Sequence, residues 1–504
     1  MLPRVHYRLA FCWLAILAAA VFLRFEDLAK RPIHADEATG ARITAQRMES
    51  GGTGFDPTHY HGPTQSRLAM TICHWRGENS WREMSKGTLR ILPAITGCLL
   101  VLLPFFWRKR IGDASALLAA ALLAGSPLLV YYSRMFIHEM LLTLFGVAAM
   151  FALIYRAPAL ITGTCIGLMF ATKETFVISL AAWSAAGCLL LFEKGMPPWS
   201  SIRARWIRHR VAIALAAASA LLTAAFFYTD AFREPRGIFD AVKTIFVYET
   251  SSGHDKPLGY YAQLFALPVK SGGAWWFGTP LILLAATACI HAFGKTPPPQ
   301  ARAIRFIAIS VILHTLAYSI IRYKNPWLAC LPWAHVCVLA GFSLAGFSNR
   351  TKAMKAWIVA IAAIAIVTQT LQSRQATGRL ASDERNPFAY VPTRQDIEDL
   401  EPWLKKLQAI APGQSIEPIA VIGNGYWPLP WVLRTFENTG YWQSPPPDLA
   451  SMPIVLAMPE HAEAVAKQLE ATHQPLPRGL RTGVPVMLFV KRDLWQLWMR
   501  QDPK

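Results

Sequence analysis

The feature that most constrains this chain is a recurrence of long, nearly uncharged apolar runs that continues to about Leu371. Each approaches the roughly 20 residues a helix needs to cross a hydrocarbon core. Inside lipid every backbone donor and acceptor must be satisfied within the protein, and a single continuous run does that only as a helix. Composition agrees: 53% of the residues are hydrophobic and 16% charged, and the mean hydropathy is +0.29. That is too apolar for an ordinary soluble chain of this length.

The runs are 9–25, 88–107, 114–132, 140–155, 157–171, 175–192, 211–228, 276–293, 304–321, 328–347 and 353–371. They predict an α-helical polytopic membrane protein with about eleven transmembrane helices, the fifth run being short for a full crossing. Arg4 and Arg8 precede the first run, which places the N-terminus on the cytoplasmic side. A cleaved signal peptide is the competing reading of that segment. The bulky "FLRFEDL" after it lacks the small residues of a cleavage site. An odd number of spans puts the C-terminus outside.

The formal net charge of +19 raises the question of nucleic acid, but its distribution answers it. Lys and Arg concentrate in short connections, such as Arg108 to Arg110 and Arg203 to Arg210. The predicted internal loops carry about 17 Lys and Arg against about 2 acids, whereas external segments are nearly balanced. This asymmetry sets membrane orientation, so the expected partner is a bilayer and not nucleic acid. Seven of the eight cysteines lie in apolar runs and only Cys73 falls outside them, a pattern that implies no disulfide framework or CxxC metal site.

The expected domains are a transmembrane part, 1–374, with long external loops at 26–87 and 230–275, and a small external α/β domain, 387–504. In the latter, "TRQDIEDLEPWLKKLQAI" and "PEHAEAVAKQLEA" read as helices and "PIAVIG", "MPIVLAM" and "PVMLFV" as strands. "GNGYW" after the first strand lacks a full GxGxxG context and reads as a turn.

Chemistry-bearing residues gather at the predicted external ends of the helices. Asp36 and Glu37 follow the first span in "RPIHADEATGARITAQRM". An acidic pair there either serves the N-terminus of the next helix through capping and the dipole, or does chemistry. Asp56, His59, Tyr60 and His61 crowd a Gly-Pro turn, and with His34 and His138 they raise the question of a metal, although no fixed ligand spacing supports one. Hydrogen-bonding loop histidines are the plainer reading. Arg134, His138 and Glu139, then Lys173 and Glu174, then Arg322 and Lys324 form three further polar clusters. Charges this close to hydrocarbon either snorkel to the interface, pair, or line a wet cavity. Their convergence on one side of the membrane favours the cavity.

"HADEA" after a span, "FDP" and "YHGP", "YYSR" with His-Glu beyond it, "ATKET", "NPWL", and late "WPLPWVLR" and "NTGYW" together resemble the bacterial and archaeal flippase-activity-associated protein family. That family is similar to the dolichyl-phosphate-mannose mannosyltransferases and the lipid A aminoarabinose transferase of the GT-C superfamily. The likeness runs from about Arg24 to Trp442 and rests on the order of the motifs. It implies an inverting transferase at the outer face of the plasma (inner) membrane, with the catalytic carboxylate at Asp36, Glu37 beside it and Glu139 as the second acidic position. Lys173, Arg134 and Lys324 would then lie near a lipid phosphate, with His61, His138, Glu174 and Arg322 as further substrate-binding candidates.

The implied donor is a polyprenyl-phosphate-linked sugar and the acceptor a glycan, lipid or protein. Such a transfer needs a carboxylate to take a proton from the acceptor hydroxyl and cations for the departing phosphate. No cofactor is implied, and a divalent metal stays open. Two other readings remain: a component of a lipid-linked saccharide flippase without transferase activity, and a noncatalytic scaffold. Against transport, charges are few at mid-span, where transporters place their sites.

Overall fold

The structure is a computed structural model and describes residues 4–51, 56–58, 60–193, 195–247 and 255–501. His59, one of the loop histidines, lies outside them. The first helix, α1 (Arg4–Phe25), leads to α2 (Ala35–Glu49), α3 (Thr64–Trp75), α4 (Lys86–Ile111), α5 (Asp113–Gly125), α6 (Pro127–Tyr132), α7 (Glu139–Ile154) and α8 (Ala159–Thr172). Then come α9 (Phe176–Phe192), α10 (Trp199–Tyr228), α11 (Gly237–Val247), α12 (Tyr260–Phe265), α13 (Thr279–Phe293), α14 (Ala301–Ile320), α15 (Cys330–Gly341) and α16 (Lys352–Thr377). A hairpin of β1 (Val269–Ser271) and β2 (Ala274–Trp276) interrupts them between α12 and α13.

Among the described residues six helices are long and apolar enough to cross a membrane, and five more are apolar but only 10–17 residues long. One expected run, 114–132, is broken in two. Pro127 lacks an amide proton and disfavours helical backbone in the residue before it. Ser126 accordingly turns out to φ −63°, ψ 119°, ending α5 and starting α6.

Burial points to lipid as the outer solvent. The segment Pro326–Leu344 is 89% buried inside the bundle, whereas Trp199–Tyr228 and Lys352–Thr377 are 11% and 17% buried. Between their charged ends, what they expose is apolar: Leu215, Leu221 and Leu222 on α10, Val359, Val367 and Leu371 on α16. Water would penalise such a surface and hydrocarbon would not. Where α8 meets α10 the helices touch through small residues. A Cβ on Gly163 would lie 2.1 Å from the Ala216 carbonyl oxygen, and one on Gly167 2.4 Å from that of Ala220. This is the small-xxx-small contact that membrane helices use where no hydrophobic drive separates protein from solvent.

Beyond α16, short helices α17 (Gln395–Glu398), α18 (Leu400–Ile410) and α19 (Leu429–Val432) accompany a five-stranded sheet, with α20 (Pro459–Leu469) and a terminal α21 (Arg492–Gln501). The strands are β3 (Ile419–Ile422), β4 (Thr439–Trp442), β5 (Ile454–Ala457), β6 (His473–Arg481) and β7 (Val484–Lys491), in the order β4-β3-β5-β7-β6. β3 runs parallel to β4 and β5, while β7 is antiparallel to both β5 and β6. β3 and β5 are buried at every residue, as central parallel strands covered on both faces must be.

The sheet unit docks on the first connecting loop. The Thr393 hydroxyl donates to the Ile33 carbonyl at 2.7 Å, Arg434 donates to the Met84 carbonyl at 3.1 Å, and Lys86 pairs with Glu398. Trp81 meets Trp431 edge to face at 5.5 Å. The loop that carries Asp36 is therefore held between the helical bundle and the sheet.

Candidate active site

The two adjacent carboxylates have different fates, and the start of α2 explains why. His34 is the N-cap: its Nδ1 accepts from the Asp36 amide at 3.1 Å, while Glu37 reaches back to accept from the His34 amide at 3.0 Å. This is a capping box with histidine in the usual Ser/Thr place. Glu37 goes on to accept from Arg90 through Nε at 2.7 Å and Nη2 at 2.8 Å, from Arg31 at 3.2 Å and from the Phe136 amide at 2.9 Å. It is 1% exposed. Burial alone would raise its pKa, but Arg90 and Arg31 outweigh that and hold the carboxyl well below the usual carboxylate range.

The Asp36 side chain takes no part in that knot. Its side chain is 53% exposed, with His34 Nδ1 3.8 Å away, and it lines a polar cavity of about 440 Å³. The α2 face toward this cavity continues through Thr39, Gly40 and Ile43. Asp36, Gly40 and Ile43 follow the i, i+4, i+7 stripe of one helix face.

The far wall is supplied by other motifs. Glu139 and Lys173 form an ion pair at 2.5 Å with both side chains nearly buried. His61 and Glu174 are bonded at 3.0 Å, and the His61 and His138 rings meet edge to face at 5.0 Å. Burial would raise Glu174, but His61 and Lys173 bring it down to about 2. Burial, with His61 and Lys173 close by, holds His138 well below its usual value and therefore neutral. The "YHGP" and "ATKET" motifs are fitted together: Thr64 donates to the Ala171 carbonyl at 2.6 Å, and a Cβ at Gly62 would lie 2.2 Å from that same oxygen.

Six sequence candidates thus line one cavity: Asp36, His61, His138, Glu139, Lys173 and Glu174. Four do not. Glu37 is in the buried knot. Arg134 donates to the Leu23 and Asp27 carbonyls at the end of α1, at 3.0 and 3.2 Å, so it caps a helix. Lys324 donates to the Lys256 carbonyl at 2.9 Å, and Arg322 is exposed with its carbonyl accepting from the Lys256 amide. The expected meeting of Arg134, Lys173 and Lys324 at one cavity is not what the structure has, because backbone carbonyls at a helix end and a loop claim two of the three cations. Among the described residues no three His, Cys, Asp or Glu side chains group as metal ligands.

Tyr60, from the crowded turn, is on the cavity wall, and sequence reasoning missed Gln65, Tyr318, Tyr323 and Trp327 there. Trp327 packs edge to face on His34, Tyr132 and Tyr390, at 6.0, 5.9 and 5.3 Å, which fixes one side of the Asp36 neighbourhood. The sheet unit reaches the site as well. Burial lowers the pKa of the Arg481 guanidinium and the Asp36 carboxylate offsets part of that. A second, apolar cavity of about 560 Å³ opens among α12, α13, α14 and α15, with Phe265, Ala285, Val311, Trp333 and Val336 in its wall. Tyr318 lines both cavities, so the polar chamber and the apolar groove share a wall there.

No protein-family model matches the chain, and no curated protein matches it. Solved structures do. ArnT from Cupriavidus metallidurans in the apo state superposes with a TM-score of 0.63 at 14% identity, over 95% of this chain and 98% of that one. The same protein bound to undecaprenyl phosphate gives 0.62 over the same shares. The oligosaccharyltransferase AglB from Archaeoglobus fulgidus, in complex with an inhibitory peptide and a dolichol-phosphate, gives 0.53 at 14% identity over 94% of this chain and 73% of that one. The chain shares its fold with ArnT and, at a lower TM-score, with AglB. At this identity the likeness is one of architecture, and chemistry has to be argued from the site itself.

Proposed function

We propose that this protein transfers a sugar from a polyprenyl-phosphate-linked donor to an acceptor hydroxyl at the outer face of the plasma membrane. The observation that carries the reading is a pair of neighbouring cavities walled in common by Tyr318: a polar one holding one half-exposed carboxylate and an apolar groove among the helices. An isoprenoid tail suits the groove and a sugar phosphate suits the chamber. The neighbours of like fold bind undecaprenyl phosphate and dolichol-phosphate, which supports the same donor class here.

In the proposed step the Asp36 carboxylate takes the proton of the acceptor hydroxyl, whose oxygen attacks the anomeric carbon. The bond from that carbon to the phosphate oxygen breaks, and the configuration inverts. Lys173 is the cation nearest in role to the departing phosphate, with Glu139 holding its ammonium in place. His61 and Glu174 bind and orient the sugar. Deleting the gene is expected to make one polyprenyl-phosphate sugar accumulate in membrane extracts, read by mass spectrometry, and a wild-type copy should clear it. An unchanged pool of such lipids would speak against the reading.

The membrane arrangement goes with it. If the five shorter apolar helices cross together with the six long ones, the N-terminus is cytoplasmic and the sheet unit external, as the Lys and Arg asymmetry requires. A single cysteine at exposed Glu463, in a background lacking the native cysteines, should react with an impermeant maleimide in intact spheroplasts. Protection until the membrane is permeabilised would reverse the orientation.

A further inference from the structure

Beside the main cavity lies a side chamber of about 30 Å³ whose wall includes Arg47, Gln65, Tyr60 and His61. Two of these side chains are polar and buried. Arg47 and Gln65 are 5% and 2% exposed, and Arg47 Nη1 and both amide atoms of Gln65 have no hydrogen-bond partner among the described residues. Buried polar atoms left in that state are costly, and an unpaired buried charge more so. Such a group persists where a ligand or ordered water completes it.

Arg47 also continues the α2 stripe that begins at Asp36. Residues 36, 40, 43 and 47 share one helix face, so an acid stands at one end of the wall and a cation at the other. Their Cα atoms are separated by about 16 Å along the axis. Helical side chains lean toward the N-terminus, which brings the guanidinium back toward the carboxylate. The chamber's volume admits a group of one or two polar atoms and not a pyranose ring.

Resting on the transferase reading above, we infer that Arg47 and Gln65 receive an anionic substituent of the sugar being transferred, so that the donor belongs to the acidic sugars. The ring stays in the larger cavity with its anomeric carbon toward Asp36, and its carboxylate enters the side chamber. Arg47 supplies the charge-assisted bond, and Gln65 donates to one carboxylate oxygen and accepts from a neighbouring hydroxyl. The local electrostatics leave room for an anion: burial and Arg67 bring the Arg47 guanidinium down to about 10, and Glu234 offsets only part of that. Arg67 is itself already paired with Asp230.

The test is binding of decaprenyl-phosphoryl galacturonate and decaprenyl-phosphoryl galactose to the full chain in nanodiscs, with decaprenyl phosphate alone as reference. The wild type should hold the galacturonate about tenfold more tightly than the galactose. Arg47→Met should bring the two together, Arg47→Lys should keep a preference, and Gln65→Leu should weaken the galacturonate. Melting temperature should not fall in Arg47→Met, because the substitution removes a buried charge that makes no ion pair among the described residues. A purely structural arginine would instead lower it. Equal wild-type affinities, as expected if the chamber holds water only, or a preference that survives Arg47→Met, would overturn the inference while leaving the transferase reading standing. Failure to bind even decaprenyl phosphate would overturn both.

Discussion

Asp36→Asn is expected to abolish sugar transfer, by roughly 100- to 10,000-fold, in a protein that still inserts, folds and melts like the wild type. An amide of nearly the same shape fills the space but cannot accept the acceptor's proton. The structure separates this from a helix-capping effect. The cap of α2 is made by His34 and Glu37, and the Asp36 side chain is half exposed to the cavity. What remains for Asp36 in a structural role is its charge in the first helical turn, worth about 0.3–1 kcal/mol at an exposed site. A loss of that size shifts stability slightly and leaves turnover alone. Purified protein in nanodiscs, supplied with the donor that accumulates in the deletion strain, gives the measurement. Wild-type turnover by a well-folded Asp36→Asn variant would remove the main support for a carboxylate-catalysed transfer and return weight to a transport or scaffold role.

Much of the architecture is legible in the sequence because lipid imposes a strong pattern. The apolar runs correspond to helices, and the buried strands β3, β5 and β7 follow from short apolar segments between turn residues. β6 escaped notice for a physical reason: "HQPLPRGLR" carries two prolines, and an edge strand is where a sheet tolerates them. The site was half legible. Acidic and basic residues at helix ends announce a polar face, and six of them do converge. Sequence cannot say which cations are already occupied by carbonyl oxygens, and that is why Arg134 and Lys324 looked equivalent to Lys173. Nor does it mark Arg47 or Gln65, which read as ordinary helical residues until their buried, unbonded atoms are seen.

The second large effect is expected in stability and falls on the neighbour of the proposed base. Arg90 is fully buried and donates to Glu37 through two nitrogens, and to the carbonyls of Leu28, Arg31 and Pro32 at 3.0, 2.9 and 3.1 Å. Its removal takes the two shortest bonds from a buried carboxylate, leaving Arg31 as its ion-pair partner, and frees three carbonyls of the loop that presents Asp36. Breaking one side of such a pair costs about 3–5 kcal/mol, so Arg90→Met and Glu37→Gln should each lower the melting temperature sharply and reduce the folded protein recovered. Because the folded Glu37 carboxyl is depressed below its ordinary 4.5, its contribution is intact above that pH and declines only as the pH falls toward the folded value. The deficit of the variants should therefore be the same at pH 6 as at pH 8. The double variant Glu37→Gln with Arg90→Met should melt above Arg90→Met alone, since it also removes the fully buried carboxylate and leaves only the more exposed Arg31 without its ion pair. Thermal melts of the three variants beside Asp36→Asn separate the two carboxylates: one should lose turnover at normal stability, the other stability itself. A Glu37→Gln protein that melts like the wild type and has lost turnover would move the catalytic role from Asp36 to its neighbour.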